Sequence, residues 1–210
     1  MGLLDKNIVE QLKVYFDKIE TPIEIIAFFD SSDKSKELEG FLDEINVISQ
    51  KVNITKKIFG EDADSEEKFN ITRPVSFTLT VSGKKTGINF YGIPGGHEFN
   101  SFILAILGLS GLGKKLEGNQ LTRIQSINKL LNIETFISLS CTKCPEVVQS
   151  LNVISMANDN ITASLVDGGV YPQEVSEKNI QGVPVVFING QQVSVGEKTM
   201  EELITLVSNA

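Results

Sequence analysis

Apolar side chains recur at helical spacing from the start of the chain: Ile8, Leu12, Tyr15, Phe16 and Ile19 share one side of a 3.6-residue repeat and predict an amphipathic helix. The pattern then changes period. Ile23 to Phe29 is a short apolar run that predicts a strand, and Ser31 to Asp33 offers capping side chains ahead of Leu38, Phe41, Leu42, Ile45 and Ile48, spaced for a second helix. A further strand is predicted over Asn53 to Ile58. The acidic stretch Glu61 to Lys68 lacks periodicity and reads as a solvated loop. Val75 to Val81 and Thr86 to Tyr91 read as strands joined at a Ser82-Gly83 turn, followed by a helix from His97 to Leu109.

A Gly- and Lys-rich stretch, Ser110 to Gly118, interrupts this order, which then starts again. Predicted elements are a helix over Leu121 to Leu131, a strand over Ile133 to Leu139, a helix from Cys141 to about Met156, and a strand over Ile161 to Val166. A short helical or turn segment near Gln173 to Asn179 precedes strands Val185 to Ile188 and Gln191 to Val195, and Met200 to Val207 closes the chain as a helix. An offset of 110 sets Ile23 against Ile133, Leu38 against Val148, Phe41 against Leu151, Pro74 against Pro184 and Phe77 against Phe187. Two copies of one βαβ–ββα unit are therefore expected, divided as residues 1–115 and 116–210. The βαβ crossover makes parallel strands and the final hairpin antiparallel ones, giving α/β architecture with a mixed sheet and helices on its faces.

Composition narrows the function. An apolar fraction of 41% and a charged fraction of 22% are those of an ordinary folded chain, and a net charge of −8 repels phosphate backbones, so nucleic acid is excluded as a partner. The first twenty residues contain no uninterrupted apolar core or small-residue cleavage site, so no signal peptide is expected and a cytoplasmic location is. The longest apolar run, Phe102 to Leu109, is far short of the ~20 residues of a membrane span. Asn53, Asn70 and Asn160 begin Asn-x-Thr sequons, which matter only on a secreted chain.

The two cysteines, Cys141 and Cys144, stand in Ser140-Cys141-Thr142-Lys143-Cys144-Pro145, where a predicted strand passes into a predicted helix. Unpaired amides and the positive end of the helix dipole favour a thiolate on the first cysteine, Lys143 adds a nearby cation, and Pro145 suits the first helical turn. The spacing brings the second sulfur under the first, within reach of a disulfide. Other readings are weaker. A zinc site needs about four N or S ligands, and His97 is the only histidine, so no metal is expected. A purely structural disulfide across two intervening residues closes too small a loop to stabilise much. Inert buried thiols are the remaining alternative, but CxxC beside a βαβ pattern is a strong redox signal.

Cys141-Thr142-Lys143-Cys144 after an apolar strand, with Gly182-Val183-Pro184-Val185-Val186-Phe187 about forty residues on, resembles the thioredoxin superfamily. More narrowly, SLSCTKCPEVVQSLNVIS, LVDGG, NIQGVPVVFINGQ and GIPGGHEF resemble the N-terminal domain of the alkyl hydroperoxide reductase flavoprotein, over essentially the whole chain. The resemblance implies tandem thioredoxin-like folds in a segment of a longer protein, with FAD and NADH held in a missing C-terminal portion and none by this segment. It implies two partners, that flavin portion and the peroxiredoxin of the same reductase. It makes Cys141 the attacking thiol, Cys144 the resolving thiol and Pro184 a cis-proline facing them. The backbone of Val183, with Thr142 and Lys143, would meet an extended substrate segment. In the first copy the offset puts Ser31 and Lys34 in place of the cysteines, so that half is expected to be redox-inactive.

The resemblance also brings Glu98 toward the dithiol as a proton relay for Cys144, while the residue pattern alone reads it as a carboxylate favouring a helix N-terminus. His97 is expected near the surface. Gly108 to Lys115 nearly spells a P-loop, but Lys115 replaces the magnesium-binding Ser or Thr and the segment follows a helix rather than a strand. Two functional alternatives stay open: a peptide-binding module whose dithiol is incidental, and a free-standing enzyme like glutaredoxin or protein disulfide isomerase.

Overall fold

Helix α1 (Lys6–Phe16) opens the computed structural model, which describes residues 5–210, and its Leu12 and Phe16 are buried. Strand β1 (Ile23–Phe29) turns Ile23, Ile25 and Ala27 to one face of the sheet and Ile26 and Phe28 to the other, all buried, so it is an interior strand covered on both sides. Helix α2 (Asp33–Ile48) starts where the Ser32 side chain accepts the Ser35 amide, and it lays Leu38, Phe41, Leu42 and Ile45 on the first of those faces. Strand β2 (Val52–Ile58), helix α3 (Ala63–Phe69), strands β3 (Ser76–Val81) and β4 (Lys84–Tyr91), a 3-10 turn (Gly96–Glu98) and helix α4 (Phe99–Leu109) complete the first copy.

The second copy runs α5 (Gly118–Gln125), β5 (Leu131–Ile137), α6 (Cys144–Ser155), β6 (Ile161–Asp167), α7 (Pro172–Glu177), β7 (Val185–Ile188), β8 (Gln191–Val195) and α8 (Met200–Asn209). Both copies share one eight-stranded sheet in the order β2-β1-β3-β4-β6-β5-β7-β8. The βαβ pairs β1–β2 and β5–β6 are parallel and the hairpins antiparallel, as the crossover argument requires. The join is the parallel pair β4–β6, where Ile88 to Tyr91 register with Ala163 to Val166. Helices cover both faces: α1, α2 and α4 pack on one side of β1, and Phe69 at the end of α3 packs against Ile26 and Phe28 on the other.

Several boundaries differ from the sequence reading. Glu61 to Lys68 is largely helix, because Asp62 caps the Ser65 amide, Asp64 and Glu66 lie at the positive end of the dipole, and Asn70 closes α3 in the left-handed conformation. Polar caps and a single apolar anchor, Phe69, replace the missing periodicity. The helix expected to reach Leu131 ends at Gln125, and β5 begins at Leu131 rather than Ile133. The 110-residue offset is not uniform either. Ile23 pairs with Val52, 29 residues on, whereas Leu131 pairs with Ile161, 30 residues on, so no single offset superposes both strands of the βαβ pair.

Candidate active site

The parallel strands β1, β4, β5 and β6 all end on one edge of the sheet, and the dithiol lies there, in the loop after β5. That loop spans residues 138–143, whereas the matching loop of the first copy is only residues 30–32. The additional residues make the turn that carries Cys141. Contrary to the expected helix start at Cys141, α6 begins at Cys144, and Cys141 lies ahead of it with its amide donating to the Ser138 carbonyl at 2.9 Å.

Cys141 and Cys144 form a disulfide with their Cα atoms 5.6 Å apart. Cys144 is fully buried and Cys141 half-buried, so access differs sharply within the pair. The Cys144 amide donates to Cys141 Sγ at 3.1 Å, a helix-mouth N–H directed at the sulfur that would carry charge after reduction. Cys141 Sγ is 3.9 Å from the Val183 carbonyl oxygen, and Val183–Pro184 is the only cis peptide bond among the described residues. Pro184 is buried, and its carbonyl accepts the Gly196 amide at 2.8 Å. Thr142 and Lys143 are exposed on the same turn. Lys143 is not a free cation, however: it pairs with Glu197, which raises its pKa, so the expected stabilisation of a thiolate by Lys143 is shared with a carboxylate. Glu197, shortly before helix α8, gave no signal in the sequence.

Glu98 comes from the first copy and is fully buried, while His97 beside it is exposed. The turn that holds them docks on the dithiol loop, the His97 amide donating to the Leu139 carbonyl at 3.1 Å. Gly96 permits this approach: its φ is +53°, and a Cβ there would collide with the Leu139 carbonyl. Neither Glu98 oxygen meets hydrogen-bond geometry. Burial pushes its carboxyl up to about 7, Ser101 beside it opposes this in part, and the negative field of Asp167 adds to it. Asp167, at the end of β6, is itself buried and shifted upward by desolvation, with its Oδ1 accepting the Gly169 amide at 2.9 Å. Its place in the LVDGG segment marked it as part of a motif, but not as a charge acting on Glu98.

At the corresponding edge of the first copy the polar side chains pair locally. Asp30 accepts from the Ser32 amide at 3.0 Å and from the Ser35 hydroxyl at 2.7 Å, Lys34 pairs with Glu37 at 2.6 Å, and Pro74 follows a trans bond. Among the described residues no group of three or more His, Cys, Asp and Glu side chains is arranged to hold a metal ion.

A half-exposed sulfur bonded to a buried one at the mouth of a helix, opposite a cis-proline on a mixed sheet, defines the class of thioredoxin-like dithiol–disulfide oxidoreductases. The family described as a thioredoxin domain matches residues 131–208. The F component of alkyl hydroperoxide reductase (AhpF) from Staphylococcus aureus is 38% identical over 203 residues, 97% of this chain and 37% of that protein, so the chain spans little over a third of its relative's length. The crystal structure of the NTD_N/C domain of alkylhydroperoxide reductase AhpF from Enterococcus faecalis superposes with a TM-score of 0.90 at 34% identity, covering 96% of this chain and 98% of that one. A protein disulfide oxidoreductase from Aeropyrum pernix shares the fold, with a TM-score of 0.87 at 21% identity over 99% of this chain and 94% of that one. The chain belongs to the family of AhpF N-terminal domains.

Proposed function

We propose that this chain relays electron pairs, as dithiol and disulfide, from the flavin portion of an alkyl hydroperoxide reductase to the disulfide of its peroxiredoxin partner in the cytoplasm. In this reading residues 1–115 are a redox-inactive copy that braces the site, and residues 116–210 are the working copy. The observation that carries it is the asymmetry of the Cys141–Cys144 pair: one sulfur accessible and facing Val183 and Pro184, the other sealed beneath it.

In the forward step the Cys141 thiolate attacks one sulfur of the partner disulfide, and the partner's other sulfur leaves as a thiolate that takes up a proton. Cys144, deprotonated, then attacks Cys141 Sγ, forming the Cys141–Cys144 bond and releasing the partner as a dithiol. Two electrons have moved and one disulfide has replaced another. Thr142 and Lys143, exposed beside Cys141, and Val183, whose carbonyl lies against its sulfur and which precedes the buried cis-Pro184, would form the face that an extended partner segment meets. Glu98 accepts the Cys144 proton. Support for that role is its burial, its near-neutral pKa and the docking of its turn on the dithiol loop. A flavin with nicotinamide, held elsewhere in the parent chain, would supply the electron pair that restores the dithiol. No G-x-G-x-x-G motif follows a strand in this sequence to cradle it, and Gly108 to Lys115 leads out of α4.

Thiolate formation alone supplies little rate. Lowering a thiol pKa from ~8.5 to ~7 raises the thiolate fraction at pH 7 about 16-fold, but a Brønsted coefficient near 0.45 returns roughly fivefold in nucleophilicity, a net gain of about threefold. Positioning against the cis-proline strand must contribute most of the remainder. Cys144→Ser, reduced and mixed with the oxidised peroxiredoxin, is expected to trap a covalent heterodimer on a non-reducing gel, and Cys141→Ser is not. Trapping by Cys141→Ser alone would reverse the assigned roles, and trapping by neither would remove the proposed partner.

A further inference from the structure

On the edge of the sheet opposite the dithiol, the two copies and their connecting segment line an open groove of about 720 Å³. That size lies within the roughly 300–1,000 Å³ of small-molecule sites. Its rim carries Lys84 and Lys85 from the β3–β4 hairpin and Lys114 and Lys115 from the segment between the copies. None of the four enters an ion pair among the described residues, whereas the chain as a whole carries a net charge of −8. Four lysines and one carboxylate, Asp159, are among the lining residues, and Lys114 also borders the neighbouring groove that holds Glu146. Lys85 is only partly exposed, and burial lowers its pKa with no acidic neighbour to offset the cost. Beneath the lysines the floor is aliphatic: Leu109, Leu116, Leu121, Val153 and Met156.

We propose that this groove binds an aliphatic-chain anion, the chain lying on the Leu109–Val153–Met156 floor and its carboxylate or phosphate head meeting Lys84, Lys85, Lys114 and Lys115. Charge decides the sign of the ligand, because four lysines and a single carboxylate line the site and none of the lysines is spent on an ion pair among the described residues. The floor decides its body. None of the described lining residues is aromatic, so nothing offers a stacking face to a nucleobase, while half-exposed leucine, valine and methionine side chains gain by covering an alkyl chain. The site exists only because the copies are fused, since Thr86 and Leu109 come from the first copy and Val153 and Met156 from the second.

The test is calorimetric titration of the whole chain with decanoate below its micelle concentration, with decan-1-ol as the neutral control and phosphatidylglycerol vesicles as a separate arm. One decanoate per chain is expected. Neutralising two exposed rim positions in Lys84→Gln/Lys115→Gln should weaken it about tenfold or more, and decan-1-ol should bind at least about tenfold more weakly than decanoate. Val153→Trp, which fills the floor and leaves every charge in place, should abolish binding, and neither variant should change the rate of Cys141 alkylation. Vesicle binding that is lost in the lysine variant would identify a lipid headgroup as the source, and decanoate binding without vesicle binding a free acyl anion. Equal affinity for decanoate and decan-1-ol, undiminished binding by the folded lysine variant, or no binding at all would overturn the proposal.

Discussion

Glu98 couples stability to pH in a direction set by its surroundings. A carboxyl whose pKa is 4.5 in the unfolded chain and about 7 in the folded one stays protonated longer in the native state, so folding takes up a proton between those values. Its contribution is neutral below pH 4.5, becomes unfavourable as pH rises through that window, and levels off above about 7. The full shift corresponds to roughly 3 kcal/mol. Glu98→Gln is therefore expected to be more stable than the native chain at pH 8 by up to roughly 3 kcal/mol, with the difference vanishing near pH 4, as measured by urea unfolding. Under the proposed relay role it should also slow the dithiol exchange, because glutamine cannot take a proton from Cys144. Equal stability at both pH values would show that Glu98 is not held in a desolvated site. This residue illustrates the limit of sequence reading: Glu98 stood out in GIPGGHEF only through resemblance, and Asp167, which acts on it across the copies, lies 69 positions away with no local signal.

At the scale of elements, the working parts are two short connections, the 3-10 turn at Gly96–Glu98 and the loop over residues 138–143. Each holds the other, through the His97 amide and the Leu139 carbonyl. Gly96→Ala places a Cβ against that carbonyl in a left-handed conformation, so it should destabilise the chain by at least about 1 kcal/mol and bring the apparent pKa of Glu98 down toward 4.5 as the turn lifts and admits water. Thermal denaturation and carboxyl titration by NMR check both effects; an unchanged titration would show that the turn does not control access to Glu98. The long periodic elements were legible because burial imposes a period: Leu38, Phe41, Leu42 and Ile45 are spaced for one face of α2 and are all buried there. Helix α3 was not, since its signals are the Asp62 and Asn70 caps around a single buried side chain. The helix start at Cys144 was likewise hidden, because the turn carrying Cys141 depends on three residues that the first copy lacks.

Across the whole molecule, repetition builds one sheet with two edges of different character. The β4–β6 pairing is reinforced by Arg73, which pairs with Glu134, lies 3.0 Å from Glu174 and stacks over Tyr91 with its guanidinium 4.5 Å from the ring centre. The Tyr171 hydroxyl donates to the Pro74 carbonyl at 2.6 Å, so the segment of the first copy that matches the cis-proline strand of the second now ties the copies together. No described helix is long and apolar enough to cross a membrane. The fusion leaves one edge with the dithiol and Glu98 and the other with the lysine-rimmed groove. The proposed division of labour has Cys141 react with partners while Cys144 is reserved for its neighbour. Reducing the protein and following iodoacetamide labelling of each cysteine by mass spectrometry from pH 5 to 9 tests it directly. Cys141 should label first at every pH, with an apparent pKa below the ~8.5 of a free thiol. Faster labelling of Cys144, or equal slow labelling of both, would contradict the assignment.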